Sequence, residues 1–139
     1  MRNIAMNIYL DVDGVLIQHD GALARHADQF LAELLDSGHP VHWLTTRCRD
    51  GDPAPVCNAL TTLVRPETAE LLHAIRPTSW VTSKLEAIDL TTPFLWFDDQ
   101  PLRFEIEELR ECGLLDGWVK VDLVKEPDQL GTLLLLGES

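Results

Sequence analysis

The sequence predicts an α/β domain with a central, mostly parallel sheet, and three observations predict it. Short apolar runs alternate with longer stretches whose apolar residues recur at helical spacing, the rhythm of strands joined by crossover helices. Several of those runs end in residues able to do chemistry: Asp11, Thr45 and the pair Asp98-Asp99. The chain has 139 residues, 45% hydrophobic and 24% charged, with 8 Gly and 8 Pro, the composition of an ordinary globular protein. A domain of this length buries roughly 68% of the surface its unfolded chain exposes, so a single domain needs neither disulfide nor structural metal to fold.

The first strand is Asn7-Ile-Tyr-Leu10, which ends abruptly at Asp11-Val-Asp-Gly14. From about Ala22 to Ser37 the residues Leu23, Ala27, Phe30, Leu31, Leu34 and Leu35 fall on one helical face, and Gly38 supplies the stop. Pro40-Val-His-Trp-Leu44 reads as a second strand that closes in Thr45-Thr46; a proline at its start is tolerated because the first position need not donate. After a loop around Arg47 to Pro55, Val56 to Val64 and Glu67 to Ile75 read as short helices broken at Pro66. Ser79-Trp-Val-Thr82 is expected as a third strand and Pro93-Phe-Leu-Trp-Phe97 as a fourth, running into Asp98-Asp99. Leu102, Ile106 and Leu109 predict a helix stopped at Gly113, followed by an edge strand Trp118-Val-Lys-Val121 and a terminal helix from Leu130 to Leu136.

Lys and Arg number 11 against 23 Asp and Glu, a net charge of −12 with a pI near 4.6. Binding to nucleic acid or anionic membrane rests on clustered Lys and Arg, so the charge argues against both and favours a divalent cation as partner. No acidic block is long enough to be a disordered tail. Cys48, Cys57 and Cys112 are an odd number without CxxC spacing, the pattern of free thiols in a reducing compartment. No run approaches 18 apolar residues and the segment ahead of Asp11 is too short for a signal peptide, so a cytoplasmic protein is expected.

In a parallel sheet the carboxyl ends of the strands lie along one edge, and open α/β sheets bind ligands there, where strand order reverses. Asp11, Asp13, Thr45, Asp98 and Asp99 would converge on that edge. Carboxylates brought together repel one another, and a hard cation relieves this; oxygen ligands suit Mg²⁺, which commonly takes one or two carboxylates beside substrate phosphate oxygens. Lys84, on a polar turn, would add positive charge near a bound phosphate.

The order Asp11-Val-Asp13-Gly-Val-Leu16, then Thr45, then Lys84, then Asp98-Asp99 resembles the haloacid dehalogenase superfamily from about Ile8 to Gln100. The resemblance implies a three-layer Rossmannoid domain. It implies Asp11 as a nucleophile that forms an aspartyl-phosphate and Asp13 as general acid and then base. It further implies Mg²⁺ held by the Asp11 carboxylate, the Asp13 backbone carbonyl, Asp98 and Asp99, with Thr45 and Lys84 on the phosphoryl oxygens, helped by backbone N–H groups around Val12, Asp13 and Thr46. An Asp two positions after the nucleophile is usual in members that transfer phosphoryl groups to water, which favours a phosphatase over a dehalogenase.

Only about thirty residues separate Asp13 from Thr45 and about forty separate Thr45 from Lys84, so no substantial cap domain fits and the site is expected to be open. Capless members act on large or protruding phosphate esters or borrow a lid from another subunit, so a phosphorylated substrate of that kind and an oligomer are both compatible with the chain. Trp43 to Arg47 with Asn58, and Trp96 to Asp99, are also similar to small capless domains of RNA-repair proteins, which makes a phosphatase for nucleotide or nucleic-acid ends the alternative. A non-catalytic phosphate- and Mg²⁺-binding domain is a third reading. A receiver domain also gathers acids, Thr and Lys around Mg²⁺, but carries its acidic pair early and its Lys last, opposite to the order here.

Other features have plainer readings. Asp98-Asp99 could cap a helix ahead of Pro101. His39 and His42 with Cys48 and Cys57 lack the paired spacing of a zinc site. Trp43, Trp80 and Trp96 sit in expected strands and read as core or pocket wall, while Arg47 and Arg49 are either surface charges or substrate contacts.

Overall fold

The computed structural model describes residues 6–137, so the ends of the expected 1–139 domain lie outside the described residues. Four strands, β1 (Asn7–Leu10), β2 (Val41–Trp43), β3 (Phe94–Asp98) and β4 (Trp118–Lys120), form one all-parallel sheet in the order β2-β1-β3-β4. The helices α1 (Ala27–Asp36), α2 (Ala54–Thr61), α3 (Pro66–Leu71), α4 (Arg103–Glu111) and α5 (Gln129–Gly137) flank it. Among the described residues no helix is long and apolar enough to cross a membrane.

The central strands β1 and β3 are mostly apolar because both of their faces are covered, whereas β4 at the edge is only partly buried and ends in exposed Lys120. Ile8, Leu10, Val41, Trp43 and Phe97 pack into one hydrophobic cluster with Phe30 and Leu31 of α1, Val56 and Leu60 of α2, and Leu130 of α5. Tyr9, Phe94 and Trp96, at the alternate positions, pack into a second cluster with Leu85, Ile88 and Leu109. The period-two alternation of side chains thus splits β1 and β3 between two cores.

Three expectations need correction. The first helix starts at Ala27 and not at Ala22, because residues 13–24 fold back as a compact hairpin. Gln18 N–H donates to the Ala22 carbonyl (2.8 Å), Asp20 accepts from Ala22 N–H (3.0 Å), and Gly21 takes φ +90° at the tip. Ser79 to Thr82 is not a strand. Glu86 takes the N–H groups of Val81, Thr82 and Ser83 at 2.9, 3.1 and 3.0 Å, so the hydrogen bonds that a ladder would use go to one carboxylate. The sheet edge beside β2 is instead touched by Arg76, whose N–H donates to the Val41 carbonyl (2.9 Å) and whose carbonyl accepts from Trp43 N–H (2.8 Å). Pro77 follows at once and has no N–H with which to continue the pairing. Finally, Asp98-Asp99 does not cap α4: the N-cap is Leu102, and Glu105 accepts its N–H at 2.8 Å.

The register sets Leu10 beside Trp43 on one side and Phe97 on the other, and Asp98 beside Lys120. The strands therefore finish level. The chain leaves β1 for β2 on one side and returns to pair β3 on the other, so strand order reverses at the carboxyl end of β1.

Candidate functional site

Asp11 is the first residue beyond β1. Its N–H donates to the Phe97 carbonyl at 3.0 Å, which extends the β1–β3 pairing by one step and fixes its backbone, and its Oδ1 accepts from Val12 N–H at 2.8 Å. Asp98 ends β3 with 1% of its surface exposed; its Oδ1 accepts from Gln100 N–H at 2.9 Å. Asp99 follows and lies against Gly14, where φ is +82° and a Cβ would overlap the Asp99 carboxylate. Glycine serves that position twice over, through its backbone angle and through the space it leaves.

Asp11, Asp98 and Asp99 each bring a carboxylate oxygen within 4.8 Å of the others. Burial pushes the Asp11 carboxyl up to about 7; the Lys84 charge pulls it back and the Asp98 charge adds to the rise. Burial and the Asp98 charge raise Asp99 as well. Lys84 reaches in from the other side, with Nζ 2.7 Å from Asp98 Oδ2 and 3.4 Å from Asp11 Oδ2. Burial alone would lower its pKa, but the Asp11 and Asp98 charges more than offset that and hold it above the usual lysine value.

The donor set fits a divalent cation. Three carboxylates face a single ammonium, so a dication restores neutrality where protonation otherwise would, and an all-oxygen set is that of a hard cation.

The Asp13 side chain turns away from this cluster and pairs with Arg47, Nε to Oδ2 at 2.9 Å and Nη2 to Oδ1 at 2.7 Å. This two-point pair holds the Asp13 carboxyl below its ordinary range, although the side chain is half exposed. Thr45 is fully buried just past β2 and begins a single 3₁₀ turn, its Oγ1 accepting from Arg47 N–H at 3.2 Å. Thr46 is exposed on the same turn. The Val12 N–H, expected to face a phosphoryl group, donates to Asp11 in this structure.

Comparison with family models, curated proteins and solved structures finds no match. The arrangement therefore stands on its own geometry.

Two residues of the site escaped the sequence. Glu105 on α4 is 1% exposed, and its Oε2 accepts from Lys84 N–H (2.6 Å) and Ser83 Oγ (3.1 Å). Through its other oxygen it also holds the start of α4, so one carboxylate ties that helix to the turn carrying Lys84. A glutamate amid Glu105-Ile-Glu-Glu108 looks like helix exterior, and no Ser or Thr stands at position 102 to flag a capping box. Glu86 is the second. Ser83-Lys-Leu-Glu86 does carry the S-x-x-E signature and begins the 3₁₀ turn Lys84–Ala87, so a signal was present there. Arg47, left open between surface and site, belongs to the site.

A groove of about 770 Å³ opens beside Thr46 and Arg47, walled further by Arg49, Asp50, Trp80 and Glu86. On the opposite flank a second groove of about 490 Å³ runs along Gly14, His19, Asp99 and Lys120.

Proposed function

We propose that this chain is a cytoplasmic, Mg²⁺-dependent phosphohydrolase of the haloacid dehalogenase type, a three-layer Rossmannoid domain acting on phosphate monoesters through an aspartyl-phosphate. The observation that carries the reading is the convergence of Asp11, Asp98, Asp99 and Lys84 at the point where strand order reverses.

In this reading Asp11 attacks the phosphorus in line with the ester oxygen. The new bond is Asp11 Oδ to phosphorus, the bond that breaks is phosphorus to ester oxygen, and the departing alcohol takes a proton from Asp13. Asp13, now a carboxylate, draws a proton from water; that water attacks phosphorus, the Asp11 carboxylate departs and inorganic phosphate leaves. Lys84 and Thr45 hold the phosphoryl oxygens.

Mg²⁺ would be held by Asp11, Asp98, Asp99 and the Asp13 backbone carbonyl, and when bound it supplies positive charge against the phosphoryl oxygens. The Arg47 pair keeps Asp13 ionised before substrate arrives. An entering phosphoryl dianion competes for the guanidinium and frees Asp13 to take up the proton it will donate.

The test is hydrolysis of p-nitrophenyl phosphate by the purified protein with Mg²⁺ or with EDTA, beside an Asp11→Asn variant. The reading requires turnover that depends on the metal and is lost in the variant. Turnover that ignores both removes Asp11 and the cation from the chemistry.

A further inference from the structure

We propose that the groove between the Thr46–Asp52 and Ser79–Glu86 segments is a leaving-group subsite for a planar aromatic ring. The substrate class becomes the monophosphate ester of an aromatic or heterocyclic alcohol. This deepens the phosphatase reading and rests on it.

Position comes first. Arg47 lines the groove and grips Asp13, the group that protonates the leaving oxygen, so the alcohol side of a bound ester points this way. The groove volume, about 770 Å³, lies in the range of small-molecule sites.

Its wall is a built platform. Trp43 and Trp96 are wholly buried, whereas Trp80 is half-buried and faces the groove with the Arg49 guanidinium 5.0 Å over its ring. Arg49 is pinned at both ends: Nη2 donates to the Val81 carbonyl (2.8 Å) and its own carbonyl accepts from Trp80 N–H (3.0 Å). A backbone bridge between Asp50 and Ser79 ties the same two segments once more. A guanidinium held over an indole presents a cationic, preordered surface of the kind on which aromatic rings stack. Val81, 74% exposed, adds apolar surface at the rim.

Charge then narrows the ligand. Arg47 and Arg49 share the groove with Asp50, Asp52 and Glu86, two cations against three carboxylates. No surplus of positive charge remains for a chain of phosphates, on a protein whose net charge is −12. The ring should therefore be uncharged or nearly so, with a single phosphate.

Kinetics with Mg²⁺ on 1-naphthyl phosphate, glycerol 3-phosphate and an oligonucleotide ending in one phosphate test this, using wild type, Trp80→Ala and Arg49→Met. Naphthol is intrinsically the better leaving group, so the readout is KM and its ratio between substrates. Wild type should show its lowest KM for the naphthyl ester. In each variant the naphthyl-to-glycerol KM ratio should rise about tenfold, the usual weight of one stacked ring. The side chain of Arg49 is exposed, so Arg49→Met carries the test if Trp80→Ala fails to fold.

Equal KM changes for both small esters would overturn the subsite, as would a naphthyl preference that survives both variants. A lowest KM for the oligonucleotide that depends on Trp80 would overturn the monophosphate assignment. If no ester is hydrolysed, or if Asp11→Asn hydrolyses them all, the phosphatase reading falls and takes the subsite with it.

Discussion

Glu105→Gln replaces one oxygen of a buried carboxylate by an amino group, and the surroundings leave that group nowhere to go. Glu105 accepts on both sides, from Lys84 N–H and Ser83 Oγ through Oε2 and from Leu102 N–H through Oε1. Whichever way the amide turns, its NH₂ meets a backbone N–H, donor against donor. The variant loses at least one charge-assisted hydrogen bond, roughly 1.5–3 kcal/mol, and leaves a buried donor unsatisfied at roughly 1–3 kcal/mol. About 3 kcal/mol is the working estimate, a large part of the roughly 5–15 kcal/mol that holds a domain together. It corresponds to a fall in Tm of about 10 °C for a chain of this size. Urea unfolding at neutral pH measures it as a lower midpoint at constant slope. Inorganic phosphate binding, in a cycle with Lys84→Met, asks whether the loss reaches the site: coupling between the two changes is expected because one oxygen of Glu105 holds the Lys84 backbone. A stability change below about 0.5 kcal/mol, the level of an ordinary surface substitution, would refute the reasoning.

The remaining predictions concern the carboxylates. Asp28 accepts from Arg65 N–H (2.6 Å), Arg65 Nε (3.1 Å) and the Thr68 hydroxyl; burial works against its charge but these bonds prevail, and its pKa lies below the usual value. Its contribution is therefore complete above the unfolded value near ~3.9 and lost as pH falls through the lower folded value; urea midpoints across that window should drop in wild type more than in Asp28→Asn. At neutral pH Asp28→Asn should cost about 1 kcal/mol, as loss of a helix-start acceptor does. Mg²⁺ should raise the Tm of wild type, with about 1.4 kcal/mol at a free concentration near ten times Kd, and should leave the Tm of Asp98→Asn unmoved. Asp13→Asn should fold normally, because the side chain is half exposed, and slow turnover by about 10²–10⁴-fold.

The central strands β1 and β3 were legible because they are buried on both faces, which writes apolar runs into the sequence. The same signal misled at Ser79 to Thr82, where Trp80 and Val81 look like strand residues but the N–H groups of Val81, Thr82 and Ser83 are claimed by one carboxylate, that of Glu86. Local pattern does not report where a hydrogen bond goes. Likewise Leu23 continues the helical spacing of α1, yet the Asp20-Gly21 turn keeps it in the hairpin. Asp11, Asp98 and Asp99 could be assembled in advance because parallel topology brings strand ends together regardless of their separation, whereas Lys84 sits on a 3₁₀ turn and was reached only through the order of the motifs. The Arg47–Asp13 pair and the Glu105 tie could not, since each depends on which side chains meet across loops, and a buried glutamate reads as any helix exterior.

The central claim is covalent: phosphorus passes through Asp11. Mixing the protein with Mg²⁺ and a phosphate ester labelled in its phosphoryl group, quenching in acid within the first turnover and mapping the label tests it without an intermediary. The account predicts label on the peptide carrying Asp11 and none in Asp11→Asn. Hydrolysis in which Asp11→Asn keeps wild-type turnover and the wild-type protein never carries label would contradict it.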